Sequence, residues 1–325
     1  MKREVNGLLI VDKPEELTSL EVVKEVRHRF RIKKAGHIGT LDPFATGVLP
    51  IALNEGTKLI PFLKDEPKEY EAVLKLGEET STDDWTGKVT FRKPWEEVNP
   101  EVIHSVFRTF VGKIHQIPSM FSAIKVNGVP LYRLARKGIE IERKAREVEI
   151  FSIHIKAIDL PQICFRISCS KGTYIRTLGR DIGRKIGCGA HLLHLRRLRS
   201  GSFDLDQAIS WETLRHLSHG EDLSPWLISL KEALPYFPEV IGNEQLVKKV
   251  RFGQEMVVGD LSTMVLPAFE KGQWLKMSSA EEGLVAILKS EFKEEDLSRT
   301  DPDQVAFRPL RIFHTKRQYS QEGHI

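Results

Sequence analysis

Apolar residues recur at two different periods along this chain, and the order of those periods limits the folds it can adopt. Every second residue is apolar or aromatic in YEAVLKLG (70–77) and CFRISC (164–169), which is typical of half-buried strands. KGTYIRTLGRDIGRKIG (171–187) instead spaces its isoleucines and leucine as an amphipathic helix. Strands and helices are interspersed without a regular βαβ rhythm. The sequence therefore predicts a mixed α+β fold rather than a doubly wound parallel sheet.

Two helix starts can be predicted from capping residues. Thr18 followed by Glu21 forms the pattern of a capping box, and the helix that it opens has Val22, Val26 and Phe30 on one stripe. Thr173 is the candidate cap of the later helix. The run Gly7 to Val11 reads as a buried strand.

The length of 325 residues suggests two domains of unequal size. Prolines at 225, 235 and 238 mark a loop-like stretch, so we expect a large domain over 1–238. Short alternating runs over 239–316 predict a small β-rich domain, and residues 317–325 are expected to be a disordered tail.

Charge is distributed unevenly, although the net charge is only +4. Basic residues concentrate in Lys24–His37 and in Lys171–Arg199, whereas acids concentrate in Glu66–Asp84 and Glu281–Asp303. A single basic run is usually a solvated face. Two separated runs of the same sign make that interpretation less favoured and would suit a polyanionic partner.

Several classes of protein are disfavoured. No apolar run is long enough to cross a bilayer, and MKREVNGLLIVDKP does not form a signal peptide, so we expect a cytoplasmic protein. Three cysteines without CxxC spacing argue against disulfides and zinc, and His191 and His194 lack a metal-binding pattern. Neither GxxxxGK[ST] nor GxGxxG occurs. We therefore expect no metal and no cofactor.

The segment Gly36 to Pro50 contains three glycines and two prolines around one carboxylate, Asp42. A loop constrained in this way suits a positioned catalytic carboxylate. An aspartate before a proline is also an ordinary turn residue, and spacing alone does not decide between the two.

An extended set of motifs resembles the TruB family of transfer RNA pseudouridine synthases. The matching segments, in the family's order, are GLLIVDKPEELTSLEVV, KKAGHIGTLDPFATGVLPIALNEGTKLI, KEYEAVLKLGEETSTDDWTG, PSMFSAIKVNGVPLYRLARKGIEIERKAREVEI and CSKGTYIRTLGRDIGRKIGCGAHLLHLRRLRSG. The resemblance implies a central, mostly antiparallel sheet crossed by an active-site cleft. VKKVRFGQEMVVGD and VAFRPLRIF are more loosely similar to the PUA-type RNA-binding domain of bacterial members.

The resemblance also implies an activity: isomerisation of uridine 55 in the T-arm of transfer RNA to pseudouridine. Asp42 matches the catalytic nucleophile, with Tyr70 and Arg176 as further catalytic residues. A carboxylate buried beneath a base tends to protonate, and a guanidinium beside it would keep it ionised.

Other positions in the matching segments would bind the RNA. His37, Tyr174 and Leu195 match residues that contact the target nucleotide. We expect phosphate contacts from Lys33, Lys34, Arg196 and Arg197 and an RNA-gripping insertion at about 120–150. We expect a monomer that needs no protein partner. Two hypotheses compete with this activity: a non-catalytic RNA-binding protein, and a relative that depends on a guide RNA.

Overall fold

The computed structural model describes residues 5–122, 124–126 and 128–314. The strands are β1 Gly7–Lys13, β2 Ala35–His37, β3 Thr46–Leu53, β4 Lys68–Leu76, β5 Glu78–Thr80, β6 Val89–Arg92, β7 Gly112–Gln116, β8 Lys125–Val126, β9 Val129–Pro130, β10 Arg146–Asp159, β11 Gln162–Cys169, β12 Ala190–Ser200, β13 Phe203–Asp204, β14 Ile209–Ser210, β15 Leu227–Ile228, β16 Glu239–Ile241, β17 Met256–Val257, β18 Trp274–Ser279, β19 Gly283–Ser290 and β20 Val305–Ile312. The helices are α1 Ser19–Arg29, α2 Ile60–Leu63, α3 Pro100–Arg108, α4 Leu131–Ala135, α5 Ile175–Ile186, α6 Trp211–His216 and α7 Glu244–Arg251.

A sheet of 11 strands forms the centre of the molecule, in the order β14-β1-β3-β12-β4-β11-β10-β7, with β2, β13 and β15 paired off this path. Its pairs are antiparallel except β1 with β14 and β3 with β12. The predicted mixed fold with a mostly antiparallel sheet is therefore confirmed.

Helices α1, α3 and α5 pack against one face of this sheet. On β4 the predicted alternation is present, since Tyr70, Ala72, Leu74 and Leu76 are buried on the face that contributes to this core. The capping box at Thr18 is also present. These apolar contacts fix α1 and α5 relative to the strands between them.

The predicted cap at Thr173 is wrong. Helix α5 begins one residue later than that cap requires, at Ile175, and its N-cap residue Tyr174 makes no side-chain capping bond. The Thr173 hydroxyl instead donates to the carbonyl of Ser170, 2.9 Å away. The Thr173 hydroxyl is therefore bonded within the turn before the helix and does not cap it.

A separate sheet of five strands, β16-β18-β19-β20-β17, forms near the C-terminus and has a core of its own with α7. Leu284, Ile287 and Phe313 pack against Leu8 and Ile10, which lie on the face of β1 opposite to α1. This β-rich unit is therefore docked on the main sheet. The cysteines are free, and in the described part of the chain no helix is both long and apolar enough to cross a membrane.

Candidate active site

The loop between β2 and β3 carries Asp42 and is held at several points. The Ser19 hydroxyl, at the start of α1, donates to the carbonyl of Leu41 (3.0 Å) and accepts from its amide (2.8 Å). The ammonium of the fully buried Lys13 donates to the carbonyl of Pro43 at 3.0 Å, and burial lowers the pKa of Lys13 to about 8. The amide of Ala45 closes a turn on the carbonyl of Asp42 (3.1 Å). The carboxylate therefore has a defined position.

Gly47 brings the far end of this loop against β12. A Cβ atom there would lie 2.2 Å from the carbonyl oxygen of Arg197, and the residue has φ of +100°. Both constraints exclude larger residues. The glycine is needed because β3 and β12 meet in parallel at this point, with Gly47 beside Arg197.

Arg176, in the first turn of α5, uses all five of its N–H donors. Its Nε and Nη2 atoms donate to the two oxygens of Asp42, at 2.8 and 3.0 Å. The remaining bonds go to the carbonyls of Thr82 (2.8 Å) and Phe121 (3.0 Å) and to the carboxylate of Asp84 (3.3 Å). Burial opposes the charge of this guanidinium, but Asp42 and Asp84 raise the pKa of Arg176. The arginine is therefore a fixed cation beneath Asp42.

Exposure differs sharply within this pair. The side chain of Arg176 is 4% exposed, whereas that of Asp42 is 32% exposed. A two-pronged arginine bond fixes the direction in which a carboxylate points. Asp42 is thus an oriented anion that a ligand from solvent can approach.

Asp84 is a site residue that the sequence analysis missed. Its second oxygen accepts bonds from the Thr82 hydroxyl (2.7 Å) and the amide of Thr86 (3.0 Å). The available signal was the acidic pair inside the turn-forming segment STDDWTG (81–87), to which no role was assigned. The turn directs the other oxygen of Asp84 toward Nη1 of Arg176, whereas Asp42 bonds Nε and Nη2 of the same guanidinium.

Tyr70 and Tyr174 lie within electrostatic range of Asp42. Burial raises the pKa of both phenols, so both are neutral near pH 7. Leu195 on β12 pairs with Ala72 on β4, and the next inward pair is Arg197 with Tyr70. Cross-strand partners share a face, so Leu195 and Tyr70 are neighbours on the side of the sheet that faces α1 and α5.

His37 ends β2, five residues before Asp42. It is half-buried, and its Nδ1 atom has no hydrogen-bond partner among the described residues. Burial lowers its pKa, and the charge of Arg197 acts in the same direction. The ring is therefore neutral at physiological pH.

The prediction of a phosphate contact for Arg197 is wrong. The residue is 1% exposed, and its guanidinium donates to the carbonyls of Val48 and Gly39 inside the protein. Arg196 lies on the other face of β12, where it forms a two-pronged pair with Asp12 at 2.7 and 3.1 Å and remains partly exposed. Lys33 and Lys34 are exposed. These three residues remain candidates for phosphate contacts.

The arrangement combines an oriented, accessible carboxylate, a buried cation bonded to both of its oxygens, and neutral aromatic groups. Such a carboxylate can attack an electrophilic carbon or stabilise a developing cation on a sugar. Flat apolar and aromatic walls suit a nucleobase.

The amino-acid sequence matches family models and curated relatives of one kind. The family model described as "TruB family pseudouridylate synthase (N terminal domain)" matches residues 27–175, and "tRNA pseudouridylate synthase B C-terminal domain" matches residues 176–234. The chain is 50% identical over 249 residues to tRNA pseudouridine synthase B of Geobacter sulfurreducens, covering 77% of this chain and 82% of that one. Identity to the protein of the same name from Syntrophus aciditrophicus is 41% over 312 residues, covering 96% and 100%.

Solved structures give the same class of fold. A Cbf5-Nop10-Gar1 complex matches with a TM-score of 0.71 and 26% identity, over 95% of this chain and 85% of that one. An H/ACA RNP bound to a substrate RNA matches with a TM-score of 0.70 and 25% identity, with the same coverage. The fold is thus that of pseudouridine synthases. The chain itself belongs to the TruB family.

Proposed function

We propose that this protein is a tRNA pseudouridine synthase that converts uridine 55 in the T-arm of transfer RNA to pseudouridine, with Asp42 as nucleophile. The observation that carries the proposal is the two-pronged bond between the buried Arg176 and the accessible Asp42. Relatives named tRNA pseudouridine synthase B, at up to 50% identity, support the substrate class.

The reaction breaks the bond between N1 of uracil and C1′ of the ribose, turns the base, and joins C5 to C1′. It transfers no electrons to or from a partner and adds no group, so it needs neither a cofactor nor a metal. An ionised carboxylate near C1′ and C6 serves either route, covalent addition or stabilisation of an oxocarbenium or glycal species. Arg176 orients both oxygens of Asp42 for either route.

The target base has to leave its stack before Asp42 can reach it, at a cost of a few kcal/mol. Tyr70 stacks on the extruded uracil and assists removal of the C5 proton, while Leu195 and Tyr174 wall the pocket. His37 fills the space that the base leaves. Its neutral ring, held so by burial and by Arg197, can stack there without adding charge.

The remaining surface grips the RNA. Lys33, Lys34 and Arg196 contact phosphates, and the insertion at about 120–150 closes on the T-arm. Residues 1–238 form the catalytic domain, and residues 239–316 form a PUA-like RNA-binding domain. The protein acts in the cytoplasm as a monomer without a protein partner. The tail predicted at 317–325 lies outside the described residues.

Release of tritium from C5-labelled uridine in unmodified transfer RNA tests the proposal. The wild-type protein, without added metal or nucleotide, is expected to release tritium, and Asp42→Asn is expected to release none above background while still binding the RNA. Tyr236→Ala is the control for effects of mutagenesis and purification alone, because Tyr236 is exposed and far along the chain from the Asp42 loop. Its tritium release is expected to equal that of the wild type.

Two results would redirect the interpretation. Salt-sensitive RNA binding without release by the wild type would favour the non-catalytic RNA-binding reading. Release only after a guide RNA and accessory proteins are added would favour the guide-dependent reading, which the likeness to the Cbf5 complex makes worth testing.

A further inference from the structure

The guanidinium of Arg197 lies inside the protein beneath the Asp42 loop, although β12 places the exposed Arg196 directly beside it in sequence. Arg197 is among the largest fully buried side chains. No ion pair joins it to a carboxylate within residues 5–122, 124–126 and 128–314. Burial of a cation without an acidic partner is costly, so its position calls for an explanation.

The guanidinium connects the two ends of the Asp42 loop. Its Nη2 atom donates to the carbonyl of Gly39 (3.1 Å), before Asp42, and its Nε atom donates to the carbonyl of Val48 (2.7 Å), after it. Its Nη1 atom lies 3.5 Å from the carbonyl oxygen of Thr40. One rigid, planar group thus sets the separation between the strands that carry the loop.

The same guanidinium reaches two other residues of the site. Arg197 is the cross-strand partner of Tyr70, and its positive charge acts on the Tyr70 phenol. Its positive charge also acts on His37, whose unpartnered Nδ1 atom is buried nearby. One guanidinium therefore bonds the loop and acts through its charge on the aromatic residue and the histidine.

We propose that Arg197 is a positioning residue for the reaction, which holds the Asp42 loop, Tyr70 and His37 in one arrangement without touching the RNA. This inference rests on the proposed function for its kinetic consequence only. Lysine cannot replace the residue, because an ammonium lacks the planar fork that spans two carbonyls.

The kinetic test compares Arg197→Lys with the wild type under single-turnover conditions. A misplaced reacting group costs about 100-fold in rate, so tritium release is expected to slow by about that factor while the Kd for transfer RNA stays unchanged. Arg166→Lys is the matched control, because Arg166 lies on β11 in an exposed pair with Glu69. The control should keep both values. A weaker Kd with an unchanged rate in Arg197→Lys would show a phosphate contact and overturn the inference.

A second readout separates positioning from general stability. The ionisation of His37 can be followed by NMR in the free protein, with Arg197→Met and Arg197→Lys compared. Loss of the charge in Arg197→Met is expected to raise the pKa of His37 toward its ordinary value of about 6.5, and Arg197→Lys should not. An unchanged pKa in Arg197→Met would place the charge too far away to act.

The wild-type protein supplies a test that requires no variant to fold. The Nε–H proton of Arg197 is expected to exchange with solvent slowly, as a buried, bonded donor does. Fast exchange would overturn the inference. Both NMR measurements are made without RNA, so they stand even if the wild type fails to release tritium, which would contradict only the proposed function.

Discussion

Helices α1 and α5 both carry dense basic runs, yet the structure uses the two sets of charges differently. On α1, Lys24 and Arg27 are exposed to solvent. On α5, Arg176 pairs with Asp42 and Asp84, Arg180 with Asp83 at 3.3 Å, and Arg184 with Glu79 at 2.6 Å. Lys24 and Arg27 thus face outward, whereas Arg29 at the end of α1 pairs with Glu25 at 2.7 Å and the three arginines of α5 pair with carboxylates.

Apart from Asp42, the acids that meet these arginines come from one short segment, 79–84, which follows β4. Burial increases toward the start of the helix, from 57% exposure at Arg184 to 14% at Arg180 and 4% at Arg176. Helix α5 therefore supplies the buried cation that orients the Asp42 carboxylate. On α1, Lys24 and Arg27 remain exposed and could contact a polyanion such as the proposed RNA substrate.

The largest expected effect is at the buried end of α5. Arg176→Met should lower the rate of tritium release by about 100-fold or more, because Asp42 loses the group that orients it. It also leaves the buried Asp84 without its cation, which costs about 3–5 kcal/mol of unfolding free energy. Single-turnover kinetics and urea denaturation measure the two effects.

Arg184→Gln is the matched control for that prediction. It removes the same charge from the same helix, about two turns further along. The side chain of Arg184 is 57% exposed. The rate should stay close to wild type, whereas stability should fall by less than in Arg176→Met, because Arg184 is exposed but its partner Glu79 is buried. Equal losses in the two variants would contradict the division of roles along α5.

Much of this arrangement can be predicted from the sequence, and the missing part has one physical cause. Periodicity identifies β4, α1 and α5, and the family motifs identify Asp42 and Arg176 as candidates. Charge runs do not show which way a side chain faces. The acids up to Asp84 and the arginines of α5 are segregated along the sequence, although the fold brings them together.

The error at Arg197 has the same origin. Adjacent residues of a strand point to opposite faces, so Arg196 and Arg197 cannot both face the RNA. The sequence LRRLR contains no feature that says which arginine is inside. The answer depends on the close approach of Gly47 from β3, which is a tertiary contact.

A middle-sized effect is expected on RNA affinity. The double variant Lys24→Gln, Arg27→Gln should weaken binding of transfer RNA about tenfold and reduce the slope of log K against log salt by about 2, since each phosphate contact contributes about 0.9. Arg184→Gln, Lys185→Gln removes the same charge from α5 and should change the slope little. Filter binding across a salt series measures both. Equal slopes for the two double variants would mean that net charge, not the α1 surface, governs binding.

The smallest expected effect concerns Arg180 and Asp83, midway along α5. Burial raises the pKa of Asp83, and Arg180 is the main group that opposes this rise. In Arg180→Gln the folded protein should bind a proton at Asp83 at higher pH than the wild type, whereas the unfolded chain keeps an ordinary aspartate. Where the folded state binds more protons, stability rises as pH falls. The variant should therefore be about 1 kcal/mol less stable than wild type near pH 7, and this difference in unfolding free energy should narrow toward about pH 5.

Urea denaturation at the two pH values measures the difference. Asp83→Asn in the same background is the control, because that variant has no carboxyl to titrate. A gap that widens on acidification would show that Arg180 does not hold the charge of Asp83, and the gradient of pairing along α5 would then end at Arg176.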